Sequence, residues 1–138
     1  MGYNFIMRLR DIKLTNYRNC KDLKLDLSSD KVLIIGKNAQ GKTNILESIY
    51  FLSVLKSPRT SNNIELINFD AEQAEINANL IKSNTDIELD YVYTSEKKRE
   101  LKINKVKTTP KNFKTVLKTV LFSTADLLLL RGNPSDRR

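Results

Sequence analysis

Hydrophobic and polar residues alternate along several stretches of this chain, and this period of two predicts β-strands. Residues 8–18 alternate with one irregular step, and residues 23–27 alternate cleanly. Because only a short connection separates these two stretches, we predict an antiparallel pair of strands. Three further alternating stretches, which together predict an antiparallel meander, lie at residues 74–80, 87–93 and 101–103.

Two short apolar runs do not alternate. Residues 32–35 and residues 120–122 are continuously apolar, which is typical of strands buried on both faces of a sheet. Apolar residues at helical spacing predict a helix over residues 42–55, ended by Ser57 and Pro58. A short helix or a loop is predicted at residues 63–69, and short helices are predicted at residues 113–117 and 126–130.

The sequence between the first apolar run and the predicted helix matches the P-loop pattern. Two glycines, Gly36 and Gly41, allow backbone conformations that residues with a Cβ avoid. The ammonium of Lys42 is suited to the β- and γ-phosphates of a nucleotide, and the hydroxyl of Thr43 to a Mg²⁺ ion. A buried strand before the loop and a helix after it favour a true phosphate site. The predicted nucleotide-binding residues are Gly36, Lys37, Asn38, Ala39, Gln40, Gly41, Lys42 and Thr43.

Composition narrows the possible chemistry. The 138 residues suffice for one domain, and 40% hydrophobic with 29% charged residues is typical of a globular protein. There is no histidine and only one cysteine, Cys20, which excludes histidine-based catalysis and ordinary zinc sites. No run is long enough for a membrane span and no secretion signal is visible, so we expect a cytoplasmic protein.

Positive charge is concentrated in one segment. The net charge is +8, and residues 97–118 contain nine basic residues with Glu100 as the only acid. This pattern indicates a polyanionic partner, but a solvated lysine-rich hairpin explains it equally well. The candidate lysines for contact with such a partner are Lys97, Lys98 and Lys102.

No catalytic acid is visible. Hydrolysis requires an acid, typically at the end of an apolar strand, that orients Mg²⁺ or water. The run 127–130 is followed by Arg131, and Asp90 follows a half-exposed, alternating stretch. We therefore expect this chain to bind a nucleotide but to have negligible ATPase activity by itself.

The order of these elements resembles the ATP-binding cassette heads of SMC-like ATPases and, among them, the RecF family of bacterial DNA replication and repair proteins. The similarity includes Asn-Tyr-Arg-Asn at 16–19, the P-loop through Asn44 and the Leu-Glu-Ser-Ile-Tyr that follows it. Lys37, Ala39 and the pair at 124–125 depart from the family pattern. Further matching segments lie at residues 57–61, 120–127 and 132–138.

The resemblance implies a fold class: an α/β P-loop NTPase, the first lobe of an ABC/SMC-like head. That lobe would have a mixed sheet, an antiparallel meander and the helix that follows the P-loop. Residues 1–138 look like the N-terminal ATP-binding lobe, cut inside the motif that starts at Gly132. The signature motif and the Walker B strand would lie beyond it.

The resemblance also implies a function. Members would bind ATP and Mg²⁺, hydrolyse ATP weakly, form an ATP-dependent homodimer at full length, and act with other recombination mediators in the response to DNA damage, including the SOS response. DNA would be bound at gaps, junctions and stalled forks. Arg18 would approach the phosphates, and Arg59 would sense DNA or assist hydrolysis.

Several alternatives stay open at this point. Arg18 could be a surface residue at a strand end, and Arg59 a loop arginine. The chain could belong to another SMC-like head, or act as a fragment that binds a nucleotide without turnover. A metabolic P-loop kinase is disfavoured by the two strands before the loop and by the basic meander.

Overall fold

In the described part of the chain, six strands form one antiparallel sheet in the order β2-β1-β3-β4-β5-β6. The computed structural model describes residues 7–38 and 40–123 of the chain. The strands are β1 (Met7–Tyr17), β2 (Cys20–Asp26), β3 (Gln73–Lys82), β4 (Thr85–Thr94), β5 (Arg99–Ile103) and β6 (Val106–Lys107). The predicted strand pair and the predicted meander are both confirmed, and the pairing of β3 with β1 joins them into one sheet.

The irregular step in the first strand is a β-bulge. Leu9 pairs with Leu80, but the next paired residue on β1 is Asp11, so Arg10 is the extra residue. The bulge restores the inward direction for Ile12, which is fully buried.

The core lies on one face of this sheet. Helix α1 (Lys42–Val54) packs there, and Phe51 meets Tyr91 edge to face with ring centroids 4.8 Å apart. A short 3₁₀ helix (Asn63–Leu66) follows α1, and its Leu66 is fully buried. The other face of the sheet is polar, with Asn77 donating a hydrogen bond to Asp90. The helix predicted over residues 42–55 is confirmed.

The two continuous apolar runs do not form strands, so this prediction is wrong. Leu33 and Ile35 are 82% and 83% exposed, and Val120 and Phe122 are 92% and 72% exposed. A strand needs a neighbour for its N–H and C=O groups, and no described strand pairs with either run. Every pairing among the described residues is antiparallel, so the mixed sheet expected from these runs is not observed there.

Helix α2 (Pro110–Phe113) begins three residues before the predicted start at residue 113. Proline fits the first turn of a helix, and the Thr109 side chain caps this one by accepting the N–H of Asn112. The two-residue strand β6 was not predicted. The helix expected at 126–130, the motif from Gly132 and residues 1–6 lie outside the described residues. No helix in the described part of the chain has the length and apolarity that crossing a membrane requires.

Candidate functional site

Gly41 sets the geometry at the start of α1. Its φ of +95° lies in the left-handed region that favours glycine, and its carbonyl accepts the N–H of Ile45 at 3.1 Å. No side chain caps the helix there, and its first turn contains no acid. The first amides of α1 and its positive end are therefore available to an anion.

Gly36 has a different role from the one expected. Among the described glycines only Gly41 has a positive φ, so the conformational freedom expected of both glycines is used in this way at Gly41 and not at Gly36. A Cβ on Gly36 would lie 3.3 Å from Oε1 of Gln40 and 3.8 Å from Cδ of Lys42. Close packing inside the loop therefore favours glycine at this position.

Lys42 folds back over the loop. Its ammonium donates hydrogen bonds to the carbonyl of Gly36 and, at 2.7 Å, to the carbonyl of Lys37. The adjacent Thr43 is exposed, and its hydroxyl makes no hydrogen bond within the described part of the chain. Ala39, the central loop residue, lies outside the described residues. The loop therefore presents one ammonium and one unused hydroxyl at the helix start.

The turn between β1 and β2 places Arg18 next to this loop. Arg18 has φ of +51°, which is uncommon for a residue with a side chain. Two contacts hold this backbone: its N–H donates to the carbonyl of Leu66 at 2.8 Å, and its carbonyl accepts from Nδ2 of Asn68 at 2.6 Å. Strained backbone of this kind is found at functional sites, where the surrounding structure determines it.

The carboxylate of Glu47, on α1, is the centre of the polar network under the loop. Glu47 is only 2% exposed. Arg18 donates from Nε at 2.8 Å and from Nη2 at 2.6 Å, and the hydroxyl of Ser57 donates at 2.5 Å. Burial raises the pKa of Glu47, but the hydrogen bonds from Arg18 and Ser57 and the charges of Arg18 and Arg59 outweigh it and lower the pKa. Glu47 is therefore a carboxylate in the folded protein.

Arg59 joins the same network from the segment after α1. Its Nη1 donates to Oδ1 of Asn44 at 2.6 Å and lies 3.3 Å from Oε2 of Glu47. Asn44 in turn donates to Oδ1 of Asn19 at 2.6 Å. The structure thus brings Arg18 and Arg59, which are 41 positions apart in the sequence, to the same carboxylate next to the P-loop.

Lys42 and Thr43 of the P-loop, together with Arg18 and Arg59, line an open cleft of about 1180 Å³. This volume is large enough for a nucleoside triphosphate, since ligand pockets usually measure about 300–1,000 Å³. Other residues that line the cleft, some of them apolar, are Ile64, Ile67, Phe69, Asp70, Ala71 and Ser95.

The lysines proposed to contact a polyanion, which is DNA if the family resemblance holds, do not line the cleft and differ in their surroundings. Lys98 pairs with Glu96 at 2.6 Å, and Lys102 pairs with Glu100 at 2.8 Å. Lys97, in the turn between β4 and β5, forms no ion pair within the described residues. Lys105 and Lys107 are also paired, with Glu88 and Glu100. Carboxylates therefore offset part of the positive charge that the sequence concentrates here.

Sequence reasoning missed Asn44, Glu47 and Asn68. A signal for Glu47 exists: residues 44, 47, 48, 51 and 52 follow the helical spacing of a single face, so a carboxylate falls in the middle of a buried stripe. A buried charge requires partners, and this requirement points to nearby arginines. Asn68 has no comparable signal, because its role depends on the turn at residues 16–18, which is distant in sequence.

A P-loop ahead of a helix that packs on an antiparallel sheet defines the fold of a P-loop ATPase. The chain belongs to the AAA ATPase domain family, whose model matches residues 7–127. It is 40% identical over 133 residues to the "DNA replication and repair protein RecF" of Bacillus velezensis and 38% identical to that of Clostridium kluyveri. In both cases the match covers 96% of this chain and 36% of the relative, so the chain spans about a third of the length of these RecF proteins.

Solved structures agree with this assignment. The recombination mediator protein RecF with ATP, described as part of the RecFOR pathway, matches with a TM-score of 0.84 and 32% identity over 96% of this chain and 36% of that chain. A structure from work on the ATP-driven dimerization of SMC ATPases matches with a TM-score of 0.81 over 94% of this chain and 95% of that chain. At 16% identity the second likeness shows the fold alone. The chain is therefore homologous to RecF and has the fold of SMC ATPase heads.

Proposed function

We propose that this chain is the ATP-binding part of a DNA repair and recombination protein that binds DNA in an ATP-dependent manner. In the whole protein, two copies close around ATP and act on DNA at gaps and stalled replication forks in the cytoplasm. In this proposal the protein acts together with other recombination mediators in the response to DNA damage, including the SOS response.

The observation that carries the proposal is the cleft itself. The start of α1, the ammonium of Lys42 and the guanidinium groups of Arg18 and Arg59 converge on one open volume. Three side-chain cations and a helix start are suited to a polyanion such as a triphosphate. The match to a RecF structure with ATP, over nearly the whole chain, supports ATP as that polyanion.

Thr43 is the residue that fits a Mg²⁺ ion. It follows Lys42 at the cleft, and its hydroxyl is unused within the described part of the chain. Mg²⁺ is usually bound through one or two protein oxygens together with substrate phosphates. No cluster of three acidic, cysteine or histidine ligands exists among the described residues, which suits an ion that arrives with the nucleotide.

The proposed DNA surface is the end of the meander. Lys97 and Lys98 lie in the β4–β5 turn, and Ser95, at the beginning of this turn, lines the cleft. Lys102 and Arg59 complete the proposed DNA contacts. Lysines bind duplex phosphate without sequence preference, which suits a protein that recognises DNA structure.

Equilibrium binding tests the proposal. The 138-residue chain is titrated with a fluorescent ATP analogue and Mg²⁺, and Lys42→Ala is compared with Lys56→Ala, which removes an exposed lysine outside the cleft. We expect saturable binding that Lys42→Ala weakens strongly and Lys56→Ala leaves unchanged. A folded chain that binds no ATP, or binds it equally well with Lys42→Ala, would contradict the function.

A further inference from the structure

The buried carboxylate of Glu47 receives hydrogen bonds from two other segments of the chain, which supply the cleft residues Arg18 and Arg59. We propose that Glu47 is the positioning residue of this cleft: it holds Arg18 and Arg59 beside the bound triphosphate and connects residues 57–60 to the P-loop helix. This inference rests on the nucleotide-binding function proposed above.

Four donors saturate the carboxylate. Oε1 accepts from Nη2 of Arg18 at 2.6 Å and from Oγ of Ser57 at 2.5 Å. Oε2 accepts from Nε of Arg18 at 2.8 Å and from Nη1 of Arg59 at 3.3 Å. A carboxylate has about four lone-pair positions, so the geometry leaves none unused. A residue that only neutralised one arginine would not need this arrangement.

The two arginines are held with different strength. The Arg18 side chain is 15% exposed, makes the bidentate contact, and also donates from Nη1 to the carbonyl of Glu65 at 3.2 Å. The Arg59 side chain is 45% exposed, and its contact with Glu47 is the longest of the four. Arg18 is therefore a fixed cation of the cleft wall, and Arg59 is the cation that can turn towards a ligand while Arg18 still neutralises Glu47.

Ser57 transmits the position of Glu47 to the backbone around Arg59. While its hydroxyl donates to Glu47, the same oxygen accepts the N–H of Arg59 at 3.0 Å and the N–H of Thr60 at 3.2 Å. The segment 57–60 is thus folded around a side chain that is itself bonded to α1. A nucleotide that draws Arg59 into the cleft would pull on this segment through the same contacts.

A second route leads from Arg59 back to the P-loop. Arg59 donates to Asn44, and Asn44 donates to Asn19. Asn19 lies against Gly41, where an added Cβ would be 3.1 Å from its Oδ1. Glu47 therefore belongs to one hydrogen-bonded network that includes both arginines and ends at the P-loop glycine.

Two simpler roles make different predictions. If the negative charge of Glu47 acted only through its field, its removal would strengthen the binding of an anion. If Glu47 were only structural, its removal would destabilise the whole fold without a specific effect on Arg59. Glu65→Gln is the matched control, since Glu65 also lines the cleft but forms no ion pair within the described residues.

The first measurement is the Kd for ATP with Mg²⁺ in the 138-residue chain. We expect Glu47→Gln to weaken binding by about tenfold, the size typical of losing a hydrogen bond to a charged group, and Glu65→Gln to leave it unchanged or tighter. Arg59→Ala should weaken binding in the wild-type background but have little further effect with Glu47→Gln. Unchanged or tighter binding by Glu47→Gln, or fully additive losses, would overturn the proposal.

The second measurement needs no nucleotide. Trypsin cleavage after Arg59 is compared with cleavage after Lys13, inside β1, where faster cutting reports global unfolding. We expect Glu47→Gln to accelerate the cleavage after Arg59 more than the cleavage after Lys13. Ser57→Ala provides the same test in a variant that leaves no buried charge unpaired, and equal acceleration at both sites, or none, would overturn the proposal.

The two measurements separate the two hypotheses. If the folded wild-type chain binds no ATP, the proposed function fails, while the cleavage after Arg59 still decides whether Glu47 positions this segment. If ATP binds, and Glu47→Gln changes neither ATP binding nor the cleavage after Arg59, the proposed function stands and the positioning role fails.

Discussion

The side-chain oxygen Oδ1 of Asn19 lies 3.1 Å from the position that a Cβ would occupy on Gly41. The thiol sulphur of Cys20 lies 3.2 Å from the same position. The turn between β1 and β2 is therefore packed directly against the P-loop, and glycine at position 41 is what allows this approach. The contact explains why residues 16–19 and the P-loop, which are separated in sequence, form one site.

This contact predicts different effects for the two P-loop glycines. Gly41→Ala should destabilise the protein by about 1–3 kcal/mol, because alanine is strained at φ of +95° and its Cβ meets Asn19. Gly36→Ala should cost less, since Gly36 has no positive φ and its nearest contact is the flexible end of Gln40. Thermal unfolding and ATP titration of both variants check this order, and a larger loss of stability with Gly36→Ala would contradict it.

An exposed aromatic residue in the lining of the cleft predicts contact with the nucleotide base. Phe69 lines the cleft, and its side chain is fully exposed at 106%. Stacking of a base on an aromatic ring contributes about 1–3 kcal/mol, so Phe69→Ala should weaken ATP binding by about fivefold or more. Inorganic tripolyphosphate has no base, so its affinity should not change.

Isothermal titration with both ligands checks this prediction. Phe122→Ala is the control, because it removes another exposed phenylalanine that does not line the cleft. If Phe69→Ala lowers the affinity for ATP and for tripolyphosphate equally, the substitution perturbs the cleft itself and Phe69 does not contact the base.

Ion pairing predicts which lysines contribute to DNA binding. Lys97 has no ion pair within the described residues, whereas Lys102 pairs with Glu100 and lies opposite Asp90 on the neighbouring strand. Lys97→Ala should lower DNA affinity and flatten the dependence on salt by about one unit of log K per log[salt], while Lys102→Ala should do less. Fluorescence anisotropy across a salt series checks this, with ATP affinity unchanged in both variants. A steeper change for Lys102→Ala would contradict it.

Local sequence patterns predicted the part of the fold in which each strand pairs with a strand close to it in the sequence. The irregular step near Leu9 is visible in sequence because a bulge shifts the alternation by one residue. The run at 32–35 has the composition of a buried strand, yet no described strand lies beside it. Residue types predict that a segment favours extended backbone, but only a partner makes it a strand.

The candidate site could be predicted as a motif and not as a network. The P-loop depends on local glycines and a lysine, so residues 36–43 carry their own signal. The attachment of Arg18 and Arg59 to Glu47 depends on three segments meeting in the fold, and the spacing of polar residues along one helix face was the only trace of it. Polar networks of this kind require the positions of all their members.

The lowered pKa of Glu47 predicts how the stability of the fold depends on pH. In the unfolded chain this carboxyl titrates near its ordinary value of 4.5. In the folded protein burial raises its pKa, but the donors from Arg18 and Ser57 and the charge of Arg59 lower it further than burial raises it. The contribution of Glu47 to the free energy of unfolding is therefore fully present above pH 4.5 and declines as the pH falls below this value and through the folded pKa.

The difference in unfolding free energy between the wild type and Glu47→Gln should be largest near neutral pH and shrink towards pH 3, as measured by urea unfolding. Other carboxylates titrate in the same range, but they are common to both proteins and cancel in the difference. A difference that stays constant across this range would mean that folding leaves the pKa of Glu47 unchanged and that its contacts with Arg18 and Arg59 are not charge-assisted.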